Sequence, residues 1–351
     1  MSTSFTLEGL VKAARQCAKG VMWKASVAAW VHPRNIMANC LKLWRELDSG
    51  TYREGGYVAF HVHEPKKRLI LSPRFRDRVV QRAMCNDGLY EDLTRDAIYD
   101  SCACLKDRGT AFAIGRLTRH LRRHFRKHGD SGWFLRLDIK SFFASIPHAG
   151  LKEMAVSKIR NPEHLALVLR LIDSFPDPGL GLGSQLSQLL AMSYLSGLDH
   201  YIKERLDVKA YIRYSDDMVL VHSERQFLLD AWGALRKEMA RLGLHLNPSS
   251  TLQPLANGIP FMKFRFLITD TGKVRRIPMR SKTRRFRRKM KGMQLLPPCG
   301  RSIIWESLQG HLSHLNLGTA TTPRWILHTL SFLLSRTGRT GSGESPNPCQ
   351  G

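Results

Sequence analysis

At 351 residues and 43% hydrophobic composition, the chain carries enough apolar material for a sizeable core divided over two or three subdomains. Its 55 Lys and Arg stand against 29 Asp and Glu, a formal net charge of +26 that exceeds what solubility needs and points to a polyanionic partner, nucleic acid first. No apolar run reaches the ~18 residues of a membrane span, no basic cluster adjoins an apolar anchor, and Met1 to Glu8 lack the charged and apolar regions of a signal peptide; a cytoplasmic protein with no membrane partner is expected.

In chain order, residues 7 to 48 carry helical periodicity, with Leu10, Val11, Ala14, Cys17 and Ala18 on one face. Tyr57 to His63 and Arg68 to Leu71 alternate as strands around the turn Glu64-Pro65-Lys66-Lys67, a basic hairpin. Arg74 to Tyr90 and Ala111 to Lys127 read as helices, the second with Arg116, Arg119, Arg122, Arg123 and Arg126. Trp133 to Leu137 is a strand ending at Asp138, and Pro147 opens a helix through Met154. A helix over Glu163 to Ile172, the glycine-rich loop 177–183 and a long helix over Gln185 to Leu206 follow. After a second hairpin come a helix from Glu224 to Leu242 and short strands at Leu244 to Leu246 and Phe264 to Ile268. The order is an α+β plan. Residues 273–291 contain no acidic residue and read as the start of a basic subdomain, with helical patterns at Ile303 to Leu312 and Trp325 to Leu334. Residues 336–351 are rich in Gly, Ser and Pro and are expected to be disordered. The seven cysteines are scattered; Cys102-Ala103-Cys104, the one close pair, has the spacing of neither a zinc site nor a disulfide framework.

Chemistry concentrates in Arg213-Tyr214-Ser215-Asp216-Asp217-Met218. Ala210 to Ile212 and Met218 to Val221 read as hairpin arms, so the adjacent carboxylates fall at the turn, and Asp138 ends a strand in a comparable setting. Either element alone is as well explained by turn chemistry. Together they offer hard oxygen donors from separate elements, the set that two divalent cations ~3.5–4 Å apart need for an in-line phosphoryl displacement.

Along residues 57–290 the chain resembles the reverse transcriptases. Phe134 to His148 is similar to the first catalytic motif, Tyr214-Ser215-Asp216-Asp217 to the Tyr-x-Asp-Asp box, and Glu64 to Ile70 with Phe75 to Gln81 to the fingers motifs of the bacterial branch of group II intron and diversity-generating retroelement enzymes. Leu242 to Pro248 and Gly258 to Phe261 fit the end of the palm, and Gly183 to Gln188 fits the Gly-x-x-x-Ser-Gln form of the retroelement enzymes. The resemblance implies a right-hand polymerase: a helical N-terminal arm (1–56), fingers (57–132), a palm of antiparallel sheet with helices (133–270, with a fingers insertion near 150–180), a mostly helical basic thumb (271–335) and the tail 336–351. It implies an RNA-directed DNA polymerase with Asp138, Asp216 and Asp217 as metal ligands for two Mg2+ ions, Mn2+ being the substitute. Its partners would be an RNA template, a DNA primer and product, and dNTPs, with an accessory protein on the N-terminal arm by analogy.

Lys66 and Arg68 would then clamp the incoming triphosphate, with Lys67 toward solvent. Phe143 would be the steric gate against a ribose 2′-hydroxyl, or else a core-filling ring. Gly183 would let the backbone approach the nucleotide, and Gln188 would meet a base edge or cap a packing contact. Arg78 and Gln81 share a helix face and either touch the template or form an ordinary surface pair. Arg284, Arg285, Arg287 and Arg288 would grip duplex phosphates. Three stretches depart from the family. Ser249-Ser250-Thr251 replaces the usual Lys that would protonate pyrophosphate, leaving His245 or a water for that task. Phe261-Met262-Lys263 stands for the usual Phe-Leu-Gly, and Ser101-Cys102-Ala103-Cys104 for Ser-Tyr-Ala-Cys. Two other roles share much of this pattern: a phage-defence enzyme with self-primed or template-independent synthesis, and a silent RNA-binding or splicing-assisting protein.

Overall fold

A computed structural model describes residues 3–63, 67–293 and Gln309. They fall into two compact units, one of residues 1–124 with 132–253, the other of 125–131 with the residues from 254 onward. Lys66, the patterns beyond 293 and the tail 336–351 lie outside the described residues.

The larger unit opens with α1 (Leu7–Ala18), α2 (Ala25–Val31) and α3 (Ile36–Asp48). Thr6 caps α1 by accepting the Gly9 N–H at 3.0 Å, and Leu10, Ala13, Ala14 and Ala18 form its buried stripe. The hairpin of β1 (Tyr57–Val62) and β2 (Arg68–Pro73) pairs Tyr57 with Pro73 and Val62 with Arg68. α4 (Phe75–Met84) follows, shorter than its periodicity suggests. Asp87 and Gly88 leave helical geometry, Gly88 at φ 95°, so the chain turns before α5 (Tyr90–Thr94). β3 (Ser101–Cys102), α6 (Thr110–His128), β4 (Trp133–Leu137), α7 (Phe142–Ser145), α8 (His148–Lys158) and α9 (Pro162–Asp173) come next. The long helix expected over Gln185 to Leu206 is α10 (Gln185–Tyr194), then α11 (Ser196–His200), then a wide helical turn at Tyr201–Arg205. Its break has a local cause: the Ser193 carbonyl accepts from Ser196 Oγ at 2.8 Å and from Lys158 Nζ at 3.4 Å, drawing it from the backbone ladder. β5 (Ala210–Tyr214), β6 (Asp217–His222), α12 (Arg225–Arg241) and β7 (Thr251–Pro254) complete the element order.

The main sheet is ordered β3-β5-β6-β4-β7. It is mixed, because β3 runs parallel to β5 while β5–β6 and β6–β4 are antiparallel. Leu244 to Leu246, read from sequence as a strand, makes only an isolated bridge from Leu246 to Ile139. Leu135, Leu137, Tyr211, Met218 and Leu220 share one sheet face and join a single apolar core with Leu186, Leu190 and Leu198. Each such leucine contributes about 1.5–3 kcal/mol through burial, enough to hold the strand ends that carry the acidic residues.

The smaller unit has a three-stranded antiparallel sheet ordered β10-β9-β8, of β8 (Ile259–Phe261), β9 (Phe264–Ile268) and β10 (Val274–Pro278), and ends in α13 (Arg280–Met293). The basic run 273–291 therefore begins as a strand, its Arg275 and Arg276 paired with Leu267 and Phe266. Phe261, Phe264 and Phe266 are buried. The two-residue turn between β8 and β9 places Met262 (φ 51°) and Lys263 (φ 68°) in the left-handed region, which hairpins of this length demand. No described helix is long and apolar enough to cross a membrane.

Candidate active site

β5 and β6 pair from Ala210 with Val221 to Tyr214 with Asp217, leaving Ser215 and Asp216 as the two turn residues. Ser215 is left-handed at φ 59°, a conformation that costs a non-glycine residue and needs bracing. The brace is Arg213, whose Nη1 donates to the Ser215 carbonyl at 3.1 Å. Arg213 is itself fixed by Asp199, through Nε at 2.8 Å and Nη2 at 2.5 Å, and by Ser101 Oγ at 3.0 Å. Tyr211 donates its hydroxyl to the same Asp199 at 2.7 Å. Burial opposes the charge on Arg213, yet Asp199 more than offsets it and the guanidinium stays ionised. Neither Arg213 nor Asp199 stands out in the sequence as a functional residue.

β4 runs antiparallel to β6, Leu137 opposite Met218, so Asp138 leaves β4 at the sheet end where β6 begins. Its backbone is held on both sides. The Asp138 N–H donates to Ser250 Oγ at 3.3 Å, and its carbonyl accepts from the Asn247 N–H at 2.7 Å. Lys140 N–H donates to the His245 carbonyl at 2.9 Å. Ser250, singled out in the sequence for a missing lysine, thus has a structural task at the first aspartate. The exposed His245 contributes its backbone here.

The register puts Arg136 and Asp217 on the same face, and Arg136 Nε donates to Asp217 Oδ1 at 2.9 Å, Nη2 to Oδ2 at 3.3 Å. Burial raises the pKa of Asp217, Arg136 lowers it, and Asp138 and Asp216 raise it again, leaving it pushed up to about 6. The same three carboxylates, with Asp217 foremost, keep the Arg136 guanidinium charged against burial. Asp138 and Asp216 therefore both sit within electrostatic reach of Asp217. Among the described residues no group of three His, Cys, Asp or Glu side chains is arranged to hold a metal ion. The donor set nonetheless suits a hard divalent cation: oxygen ligands from a strand end and a turn, whose mutual repulsion a cation would relieve. Nothing in its local sequence marks Arg136 as part of the site. The available signal was its position two before Asp138 on a strand, which alternation places on the same face.

The remaining site residues fall as follows. Phe142 is buried and Phe143 half-buried, their rings edge to face at 5.5 Å, so Phe142 supplies the core. The Phe143 carbonyl accepts from the Leu180 N–H at 2.7 Å, tying α7 to the glycine loop. Gly183 (φ 126°) makes its close approach to β2: an added Cβ would lie 2.9 Å from the Leu71 carbonyl oxygen, and Leu71 N–H donates to the Leu182 carbonyl at 2.7 Å. Gln188 is exposed and accepts from Cys104 Sγ at 3.3 Å. Arg68 is exposed on β2. Gln81 accepts from Ser184 Oγ at 2.7 Å, which joins α4 to the start of α10. In the smaller unit Arg284, Arg285, Arg287 and Arg288 are exposed on α13.

The family model described as "Reverse transcriptase (RNA-dependent DNA polymerase)" matches residues 63–254. No curated protein matches the chain. Among solved structures it is similar to telomerase from Candida albicans in complex with a TWJ fragment of telomeric RNA, at TM-score 0.50 and 12% identity over 82% of this chain and 57% of that one. Apo telomerase from Candida tropicalis gives 0.47 and 12% over 83% and 66%, and its form truncated from the C-terminal domain 0.48 and 12% over 63% and 54%. The chain spans a little over half the length of the first of these, and the likeness is one of fold.

Proposed function

The chain belongs to the reverse transcriptase family, and from that premise we propose that it copies an RNA template into DNA by adding dNTPs to a primer 3′-hydroxyl at Asp138, Asp216 and Asp217. The observation that carries this reading is the convergence of these carboxylates at one end of the main sheet, where burial foremost, with Asp138 and Asp216 adding to it, pushes Asp217 up to about 6.

In this reading Asp138 and Asp216 are the principal ligands for two Mg2+ ions, or Mn2+ in their place, and Asp217 sets the field while Arg136 holds its carboxylate. Bound there, the ions would activate the attacking hydroxyl and neutralise charge on the leaving pyrophosphate. Arg213 and Asp199 hold the turn, and Ser250 with Asn247 hold the backbone of Asp138, so the oxygens need little rearrangement when substrate arrives. Phe143, on the less buried side of α7, is assigned the sugar gate, Arg68 with Lys66 the triphosphate, Gly183 and Gln188 the nucleotide pocket, and Arg78 and Gln81 the template. Residues 57–132 would be the fingers, 133–270 the palm and 271–335 the thumb, whose α13 arginines would grip the duplex. The order Gly183 to Gln188 supports a bacterial retroelement role.

One observation favours a second reading, a silent RNA-binding protein: Asp217 is already engaged by Arg136. Primer extension on an RNA template with Mg2+ decides between them. The expected result is deoxynucleotide incorporation by the native chain and its loss in Asp216→Asn; equal signals from both, or none from the native chain, would sink the polymerase reading.

A further inference from the structure

The hairpin of β1 and β2 carries a pair of side chains that the active site does not use. His61 lies in β1 opposite Leu69, and His63 follows the strand directly. Two positions apart on extended backbone, they fall on one face, whereas Val62 between them faces the other way together with its cross-strand partner Arg68. The two imidazoles therefore stand on the side of the hairpin away from Arg68.

Their ring centroids are 6.2 Å apart and their planes are tilted by 42°. Both side chains are exposed, and among the described residues neither ring makes a hydrogen bond or an ion pair. Imidazoles in the core of the same unit are committed: His120 meets the Asp100 carboxylate and His148 the Gly179 carbonyl, each at 2.8 Å.

Two uncommitted imidazoles at this spacing can chelate an ion. Rings bound through nitrogens about 2.0–2.1 Å from one cation have centres about 5–6 Å apart, so a small rotation of two unrestrained side chains closes the observed gap. Imidazole nitrogen suits Cu2+, Ni2+ or Zn2+, whereas Mg2+ takes carboxylate oxygen and water. Lys67 and Arg68 oppose a dication here, but both are exposed, where the high dielectric of water weakens the repulsion.

We propose that His61 and His63 form a two-imidazole site for a late first-row divalent cation, Cu2+ most strongly, with water completing its coordination. The site is separate from the aspartate cluster in place and in donor chemistry, and it stands whether or not the chain is a polymerase.

Copper EPR on the full chain, with Mg2+ in excess to hold the aspartates, tests the proposal. One equivalent of Cu2+ should give a spectrum split by two imidazole nitrogens. His61→Ala and His63→Ala should each lower the nitrogen count and weaken Cu2+ binding by at least about 10–100-fold, the loss typical when even a supporting partner of a metal ligand is removed. His32→Ala, at an exposed imidazole elsewhere, should change neither. Equal binding by the native chain and both hairpin variants, a loss in only one of them, or a native spectrum with fewer than two nitrogens overturns the chelate. A second measurement needs no variant: Zn2+ should protect His61 and His63 together from diethyl pyrocarbonate, read by peptide mass spectrometry. Unchanged modification of either ring overturns the site.

Discussion

Arg213–Asp199 and Arg136–Asp217 are the same chemical pair on opposite faces of one sheet, but only the first is closed to water. Its side chains are 1% and 0% exposed, and its guanidinium also serves Ser215 and Ser101. The second pair is 29% and 22% exposed and shares its field with two further carboxylates. A sealed pair has already met its desolvation cost and is useful as geometry, since breaking it strands a charge in the core. A half-open pair at a carboxylate cluster can exchange partners at modest cost.

The largest effect that would test this contrast comes from Asp199→Asn. Leaving Arg213 buried without its counter-charge should cost about 3–5 kcal/mol in denaturant unfolding, and a double change to Asp199→Leu with Arg213→Met should recover most of it. A loss below about 1 kcal/mol would mean that the pair is not sealed in solution.

His164 supplies an intermediate case, buried with its Nε2 3.5 Å from Asp87, in which burial lowers the pKa and Asp87 and Glu163 only partly oppose it. Because the folded-state pKa lies below the ordinary 6.5, the unfolded chain takes up the proton first. Its contribution is present above that ordinary value and is lost as pH falls through the folded value. Stability should therefore fall by up to about 1.4 kcal/mol per pH unit on entering that window, and His164→Gln should flatten the slope. Equal slopes in thermal melts of the two proteins would count against a buried, neutral His164.

Arg136→Met should change stability by about 1 kcal/mol or less, as expected for a partly exposed pair. Its distinctive mark is electrostatic: without the guanidinium, the apparent pKa of Asp217 should rise above about 6 in a carboxyl NMR titration. A pKa that stays or falls would show that Arg136 does not govern this carboxylate. Comparable in size, Ser250→Ala removes one hydrogen bond to the Asp138 N–H and should cost about 0.5–1.5 kcal/mol. Were that variant to lose primer extension while melting normally, the role of Ser250 would extend beyond its fold contact.

The acidic hairpin and the strand ending at Asp138 were legible because alternation and a two-residue turn are local signals. The pairs around them were not. Arg136 meets Asp217 only through the β4–β6 register, and Arg213 meets Asp199 only once α11 packs behind the hairpin. Local pattern also misread Leu244 to Leu246, whose apolar alternation suggested a strand; the segment spends its hydrogen bonds on residues 138–140 instead. The single helix read over Gln185 to Leu206 failed for a related reason, since Lys158 competes for a carbonyl in its middle. Burial of Phe142 over Phe143 could be stated from sequence only as a choice of one, and packing made the choice.

Gly183 fits so tightly against Leu71 that the hairpin strand bearing Arg68 and the helix start bearing Ser184 behave as one mechanical part. Through Ser184 and Gln81 that part extends to α4. A displacement of the hairpin would then be felt on α4, so that two segments far apart in sequence move together. The fulcrum is a missing methyl group.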